Sequence, residues 1–186
     1  GFFPMRVLGP MARTVDDTAL LLSAMAGPHV RDVQSLPEDG LMFDQPLDLA
    51  TCGLKIGFTS DFGGQAAVDA DVQQVIDGNR RVLTDLGCNV ETFHPDFSGA
   101  DEVFQTLRAW NFAGVFSQGI EKHPDMYKDT IIWNTQQGQH LTGVDIHDTE
   151  VLRTQVVRRF RAYFESYDFL VMPVTQVPPF DITTDW

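Results

Sequence analysis

Cysteine and basic residues are scarce in this sequence. Only two of its 186 residues are cysteines, Cys52 and Cys88, and they do not form a Cys-x-x-Cys pair. This spacing indicates neither a disulfide framework nor a zinc knuckle, and the default expectation is a reducing, cytoplasmic setting. Lysine and arginine number 13 against 26 aspartates and glutamates, which gives a net charge of −13. Because this charge repels phosphate backbones, nucleic acid is not expected as a main partner.

Long hydrophobic runs are also missing. The longest apolar stretch is well short of the ~20 residues that a membrane span requires, and no charged leader followed by an apolar run marks a secretory signal. We therefore expect no interaction with a membrane. His147 and Glu150 have the spacing of a metal pair, but no third ligand stands at a suitable distance in the sequence. The sequence accordingly predicts no metal and no cofactor.

The apolar periodicity predicts an α/β protein. Residues 54–58 and 88–93 have the pattern of short strands, and residues 69–86 between them have that of an amphipathic helix. Residues 54–93 are therefore predicted to form a β-α-β unit with parallel strands. A third strand is predicted at residues 168–172. Three strands are few for one sheet in a chain of this length, so we expect the sheet to continue in polypeptide outside these residues.

Four further helices are predicted from the apolar spacing, at about residues 15–26, 100–118, 125–137 and 144–166. Thr14 is predicted to cap the first of them, and Thr142 or Asp145 the last. Ser98 is interpreted as the N-cap of the second, and Gly138 as the residue that ends the third.

No nucleophile can be recognised from the residues alone. A Gly-x-Ser-x-Gly elbow is absent, and a capping role accounts for Ser98 better than a catalytic one. Cys88 has no histidine or cationic residue close in sequence, so a small buried hydrophobic residue is the better interpretation.

One segment of the sequence resembles a particular protein family. The stretch GPMARTVDD at residues 9–17, with ALLL at 19–22 and AG at 26–27, resembles the "GPMARTV-D-A-LLL" helix of the amidase signature family. Residues 167–173 and 177–180, YDFLVMP and VPPF, resemble that family's "yD-Ll-P-t-vPpf" element. The resemblance covers nearly the whole chain in order.

The resemblance implies part of an α/β/α sandwich, with a mixed, mainly parallel sheet and several flanking helices. It also implies a serine hydrolase that cleaves carboxylic amides with a Ser, cis-Ser and Lys triad. Those family residues lie upstream of the region seen here, where no two serines are adjacent and the only lysines are Lys55, Lys122 and Lys128. We therefore expect an internal fragment without catalytic residues, inactive by itself.

The resemblance divides the chain into four regions, which together form a single domain or part of one. They are the helix and connection of 1–53, the β-α-β unit of 54–93, the divergent helical region of 94–145, and the long helix, strand and Pro-rich end of 146–186.

The divergent region of such enzymes tends to form the wall that faces the substrate. Trp133, Asn134 and Gln137 are therefore our candidates for contact with a small-molecule amide, although an aromatic residue between polar neighbours is about as often a surface or core anchor. Two other interpretations stay open: a protein similar to the A subunit of glutamyl-tRNA amidotransferase, and a non-catalytic binding or scaffold module. A homodimer is compatible with all three.

Overall fold

The structure is a computed structural model that describes residues 7–46 and 50–184. Residues 1–6, 47–49 and 185–186, which belong to the predicted first and last regions, lie outside the described residues. The chain divides into two compact units, Gly1–Ala50 and Thr51–Trp186.

The first unit is built on helix α1, Val15–Met25. The Thr14 hydroxyl oxygen accepts a hydrogen bond from the Asp17 N–H at 3.1 Å, as predicted for the N-cap. A 3₁₀ turn at Gly40–Phe43 packs against the end of α1. Gly40 is required at this contact because a Cβ there would lie 2.6 Å from the Ala26 carbonyl oxygen.

The second unit contains a parallel sheet. Strands β1 (Lys55–Phe58), β2 (Asn89–Glu91) and β3 (Phe169–Val171) are arranged in the order β2-β1-β3. Ile56 of β1 pairs with Val90 on one side and with Phe169 on the other. Helix α2, Ala70–Asp85, connects β1 to β2 and begins after Asp69, whose carboxylate accepts the Asp71 N–H. The predicted β-α-β unit with parallel strands is confirmed.

The two faces of the central strand contact different helices. On one face, the Arg80 guanidinium of α2 lies 5.3 Å from the centre of the Phe58 ring and donates hydrogen bonds to the Val90 carbonyl and the Thr92 hydroxyl, at 3.1 and 2.7 Å. On the opposite face, Gly57 contacts Tyr163. Adjacent residues of a strand point to opposite faces, so helices cover the sheet on both sides.

Three more helices complete this unit: α3 (Ala100–Lys122), α4 (Asp129–Gln139) and α5 (Gly143–Phe164), with α3 packed against both of the others. A capping box begins α5, in which the Asp145 carboxylate accepts the Thr142 N–H at 2.7 Å and the Thr142 hydroxyl oxygen accepts the Asp145 N–H at 3.2 Å. Hydrogen bonds from the backbone and the hydroxyl of Thr142 hold the pKa of the Asp145 carboxyl below its ordinary value.

Two predicted helix ends were wrong. Gly99, with φ of +82°, is the N-cap of α3, and the Ser98 N–H instead donates to the Asp96 carboxylate at 2.8 Å. Gly138 is buried and lies inside α4, because this helix continues to Gln139; its start, at Asp129, is later than predicted. A 3₁₀ turn at Pro124–Met126 occupies the predicted first turn.

An aromatic stack extends the sheet face that carries Gly57. The ring of Tyr163 lies 4.7 Å from that of Tyr167, which lies 5.2 Å from that of Phe93. The Tyr163 hydroxyl donates to the Phe169 carbonyl at 3.1 Å, and the Tyr167 hydroxyl donates to the Glu91 carboxylate at 2.6 Å. The stack therefore links the end of α5 to strands β2 and β3.

The pair of Tyr167 and Glu91 predicts a loss of stability at alkaline pH. The hydrogen bond to the Glu91 carboxylate raises the pKa of Tyr167 from 10.0 to about 12, since an ionised phenol would face a second anion. Because the pKa of Tyr167 is higher in the folded state, the stabilisation of the fold by its hydrogen bond to Glu91 is complete below pH 10.0. This stabilisation is lost as the pH rises through about 12. We expect Tyr167→Phe to remove this pH dependence from denaturant unfolding curves.

The matched control for this pair is Glu91→Gln, which retains a hydrogen-bond acceptor but removes the charge. It should move the tyrosinate absorbance transition assigned to Tyr167 back toward pH 10.0. An unchanged transition in that variant would contradict the assignment.

Candidate functional site

The ends of the parallel strands carry the first candidate recess. Ligands of open α/β sheets bind outside the carboxyl ends of the strands. The loops that follow β1 and β3 enclose a recess of about 280 Å³ there, together with the start of α3. We call it the strand-end recess; it is lined by Phe62, Gln65, Ala66, Phe97, Ala100, Asp101, Pro173, Val174, Thr175 and Gln176.

Local hydrogen bonds and ring contacts shape the loop after β1. The Thr59 hydroxyl accepts the Phe62 N–H at 2.7 Å, and the Asp61 carboxylate accepts the Gly63 N–H at 2.9 Å. Phe62 has a left-handed φ of 56°, and the edge of its ring meets Phe97 at a centroid distance of 5.3 Å. The segment Asp61–Gly63 thus forms a tight turn that places an aromatic wall in the strand-end recess.

Asp96 anchors the segment that carries Phe97. Hydrogen bonds from the side chain and the backbone N–H of Ser98 hold the pKa of Asp96 below its ordinary value, and the nearby Arg159 guanidinium acts in the same direction. Arg159 of α5 also donates from Nε to the Asp96 carbonyl at 2.9 Å and from Nη2 to the Ser98 carbonyl.

A polar cleft of about 320 Å³ lies beside β1 and β2. Asp61, Asp77, Arg80, Thr92 and His94 contribute polar side chains to it. His94 Nδ1 lies 2.8 Å from the Pro95 carbonyl oxygen, which can only accept, so Nδ1 carries the proton and Nε2 faces Gly63. The cleft therefore contains charged groups of both signs, and its Arg80 already donates hydrogen bonds to Val90 and Thr92.

The three residues predicted to contact substrate come together in a third recess, between α3 and α4. Trp133, Asn134 and Gln137 all line this recess, whose volume is about 210 Å³, and we call it the Trp133 recess. Positions three and four apart lie on one helix face, which is why Gln137 joins the other two. Trp133 is 53% exposed and Asn134 is 9% exposed.

The other walls of the Trp133 recess come mostly from α3. They are Gln105, Thr106, Ala109 and Leu141. Sequence reasoning missed them, because the periodicity of α3 does not show which of its faces meets α4. The wide apolar surface of α3 was the only indication that it contacts more than one neighbour.

The polar side chains that line the Trp133 recess are all neutral. Asn134 donates from Nδ2 to the Thr130 carbonyl at 2.7 Å, which leaves its carbonyl oxygen available as an acceptor. Gln105 accepts a hydrogen bond from Arg108 at 2.6 Å, and the Arg108 guanidinium lies 5.1 Å from the centre of the Phe104 ring. Arg108 thereby orients Gln105 from outside, and the side chains that line the recess carry no formal charge.

Gly138 sets the distance between the walls of the recess. A Cβ at this position would lie 2.5 Å from the Ala109 carbonyl carbon and 2.8 Å from the Ala113 Cβ, and closer still to the Ala109 carbonyl oxygen. The absence of a side chain at Gly138 therefore allows α4 to approach α3 closely where Ala109 forms the wall.

Residues 7–46 and 50–184 contain no group of three or more His, Cys, Asp and Glu side chains placed to hold a metal ion. His147 and Glu150 therefore gain no third ligand within these ranges, and Glu150 is paired with Arg153 at 3.3 Å. Among the same residues, no helix is both long and apolar enough to cross a membrane.

A match to a protein family covers nearly all of the chain. The family model described as Amidase matches residues 4–185. The A subunit of glutamyl-tRNA(Gln) amidotransferase from Chromobacterium violaceum is 27% identical, over 94% of this chain and 41% of the relative. The protein of the same name from Chromohalobacter salexigens is 29% identical over the same shares.

Solved structures show the same likeness. A bacterial aryl acylamidase of the amidase signature enzymes superimposes with a TM-score of 0.81 and 26% identity, over 95% of this chain and 38% of that one. The 6-aminohexanoate cyclic dimer hydrolase superimposes with a TM-score of 0.74 at 20% identity, over 90% and 37%, and shows the shared fold alone. The chain thus spans about two fifths of the length of these relatives.

Proposed function

Because the chain belongs to the amidase family, we propose that the full-length protein hydrolyses a carboxylic amide to a carboxylate and ammonia or an amine through a serine acyl-enzyme. The observation that carries this proposal is the family match over residues 4–185, supported by the TM-score of 0.81 against an aryl acylamidase. In this proposal the nucleophilic serine, the second serine and the lysine lie in polypeptide outside these 186 residues, which supply walls of the substrate pocket.

The chemistry of the Trp133 recess supports an uncharged, apolar or aromatic group in the substrate. A half-exposed indole offers a flat face for stacking, while the amides of Asn134 and Gln137 provide neutral donors and acceptors. Glutamine would present an ammonium and a carboxylate, each of which needs an opposite charge or several strong hydrogen bonds. Since the side chains lining this recess carry no formal charge, we favour an aryl or alkyl amide over glutamine.

A second candidate is the glutaminase reaction of an amidotransferase. The two relatives named as glutamyl-tRNA(Gln) amidotransferase components, at 27% and 29% identity, favour it. The net charge of −13 speaks against direct contact of this chain with tRNA. Dependence on a companion protein distinguishes this candidate from the first.

Turnover assays on the purified full-length protein separate these functions. We expect release of aniline from an aryl acylamide, a slower release of ammonia from a short aliphatic amide, and no hydrolysis of glutamine by the protein alone. The 186-residue chain should release neither product. Glutamine hydrolysis that requires a companion protein would support the amidotransferase instead, and no turnover of any amide would favour a non-catalytic module.

Truncation of the indole tests the role of the Trp133 recess. We expect Trp133→Ala in the full-length protein to lower kcat/KM for an aryl acylamide about tenfold, which corresponds to ~1.4 kcal/mol, mainly through a higher KM. A loss of binding surface that acts equally on substrate and transition state raises KM and leaves kcat little changed.

The matched control is Trp110→Ala on α3. Trp110 has a comparable exposure of 43% and does not line the recess. Its removal should leave kcat/KM within about twofold of the unchanged protein, as expected for a substitution away from the substrate. Equal losses in both variants would show that the effect comes from packing in general.

A further inference from the structure

We propose that Cys52 and Cys88 form a reversible intramolecular disulfide when the protein is exposed to a hydroperoxide. The site lies where the turn before β1 meets the turn before β2, away from the three recesses described above. This inference is independent of the proposed amidase function.

The backbone holds the two turns side by side. The Gly53 N–H donates to the Gly87 carbonyl at 2.8 Å, and the Asn89 N–H donates to the Leu54 carbonyl at 2.7 Å. These two bonds flank Cys88 and directly follow Cys52, and they extend the pairing of β1 with β2 toward the start of both strands. The Thr51 hydroxyl adds a bond to the Leu86 carbonyl at 2.8 Å.

Each thiol lies beside the residue that precedes the other cysteine. The Cys88 sulfur lies 3.4 Å from the Thr51 carbonyl oxygen. On the other side, the Cys52 sulfur lies 3.4 Å from the point that a Cβ of Gly87 would occupy. Formation of a disulfide needs Cα atoms within about 7 Å, and the two turns lie at the spacing of neighbouring strands where Gly53 is hydrogen-bonded to Gly87.

Gly87 makes room for this arrangement. It has a left-handed φ of +84°, and its missing side chain leaves the space that the Cα and the sulfur of Cys52 fill, at 3.3 and 3.4 Å from the absent Cβ. The glycine that ends α2 therefore also allows Cys52 to lie beside the residue next to Cys88.

The two thiols differ in their access to solvent, which gives the reaction an order. Cys52 is exposed, whereas Cys88 is 8% exposed. A hydroperoxide reaches Cys52 first and oxidises its thiol to a sulfenic acid, and the peroxide is reduced to an alcohol, or to water if it is hydrogen peroxide. The Cys88 sulfur then attacks the Cys52 sulfur, the S–S bond forms, and the sulfenic oxygen leaves as water together with the proton of the Cys88 thiol.

Peptide mapping of the full-length protein after brief exposure to hydrogen peroxide tests the proposal. Free thiols are blocked by alkylation, and the protein is digested with trypsin without reduction. Cys52 then lies in the peptide of residues 32–55 and Cys88 in that of residues 82–108. We expect these two peptides to appear as one cross-linked species that is two hydrogens lighter than their sum and disappears on reduction.

Two variants keep the outcome interpretable. In Cys88→Ser, the Cys52 sulfenic acid lacks its partner, so its adduct with dimedone should increase severalfold over that in the unchanged protein. In Cys52→Ser, which leaves the buried position intact, Cys88 should remain a free thiol at the same peroxide dose. The proposal is overturned if Cys52 is oxidised without the cross-linked species, or if it cross-links to a second molecule in a non-reducing gel.

Discussion

Replacement of Gly138 by alanine is expected to destabilise the protein by about 2–3 kcal/mol, although alanine is the better helix former. The new Cβ would lie 2.5 Å from the Ala109 carbonyl carbon and 2.8 Å from the Ala113 Cβ, and nearer still to the Ala109 carbonyl oxygen. Two of these atoms belong to the main chain of α3, so no side-chain rotation relieves the contact. The helices must separate, and the close packing between them is lost.

Gly114→Ala is the matched control for this prediction. Gly114 lies in α3, is exposed, and has no atom within 4 Å of the position that a Cβ would take. Alanine should stabilise that helix by about 1 kcal/mol, since it gains helix propensity without a clash. In urea unfolding of the full-length protein, the free energy of unfolding should therefore be lower for Gly138→Ala and higher for Gly114→Ala than for the unchanged protein. A higher free energy of unfolding for Gly138→Ala would contradict the packing argument.

The same substitution reports on the Trp133 recess. Ala109 forms one wall of this recess, and Trp133 lies on α4 five residues before Gly138. Separation of the helices would widen the recess, so Gly138→Ala should raise KM for an aryl acylamide more than it lowers kcat. Gly114→Ala should leave KM unchanged.

Local chemistry made most of the second unit predictable from the sequence. The β-α-β unit carries its own start and stop residues: Asp69 caps α2 and Gly87 ends it, with apolar periodicity between them. The resemblance to the amidase signature family, which began with GPMARTVDD, is confirmed by the family match. These features depend on residues close together in the chain.

The errors arose where tertiary contacts decide the role of a residue. A glycine that ends a helix and a glycine that admits a neighbouring helix look alike in sequence, and Gly138 proved to be the second kind. Ser98 has a good capping side chain, but Gly99 takes the cap because the chain turns there with a left-handed φ. For the same reason, the spacing on α4 grouped Trp133 with Gln137 but could not reveal Gln105 on the facing helix.

Gly57→Ala should have the largest effect on stability, a loss of about 3 kcal/mol or more. Gly57 is buried in the central strand, and a Cβ there would lie 2.6 Å from the Phe93 carbonyl oxygen and 2.8 Å from Cζ of Tyr163, with the Tyr163 hydroxyl nearer still. Neither neighbour can move freely, because one is main chain and the other is fixed in the aromatic stack and bonded to the Phe169 carbonyl.

A double-mutant cycle with Tyr163→Phe identifies the source of this loss. Tyr163→Phe alone should cost about 1 kcal/mol, since the hydroxyl loses its bond to the Phe169 carbonyl. In that background, Gly57→Ala should cost about 1 kcal/mol less than in the unchanged protein, because the nearest clashing atom is gone. Rescue stays incomplete because the Phe93 carbonyl oxygen remains at 2.6 Å from the new Cβ. Strict additivity of the two substitutions in urea unfolding would show that Tyr163 does not restrict position 57.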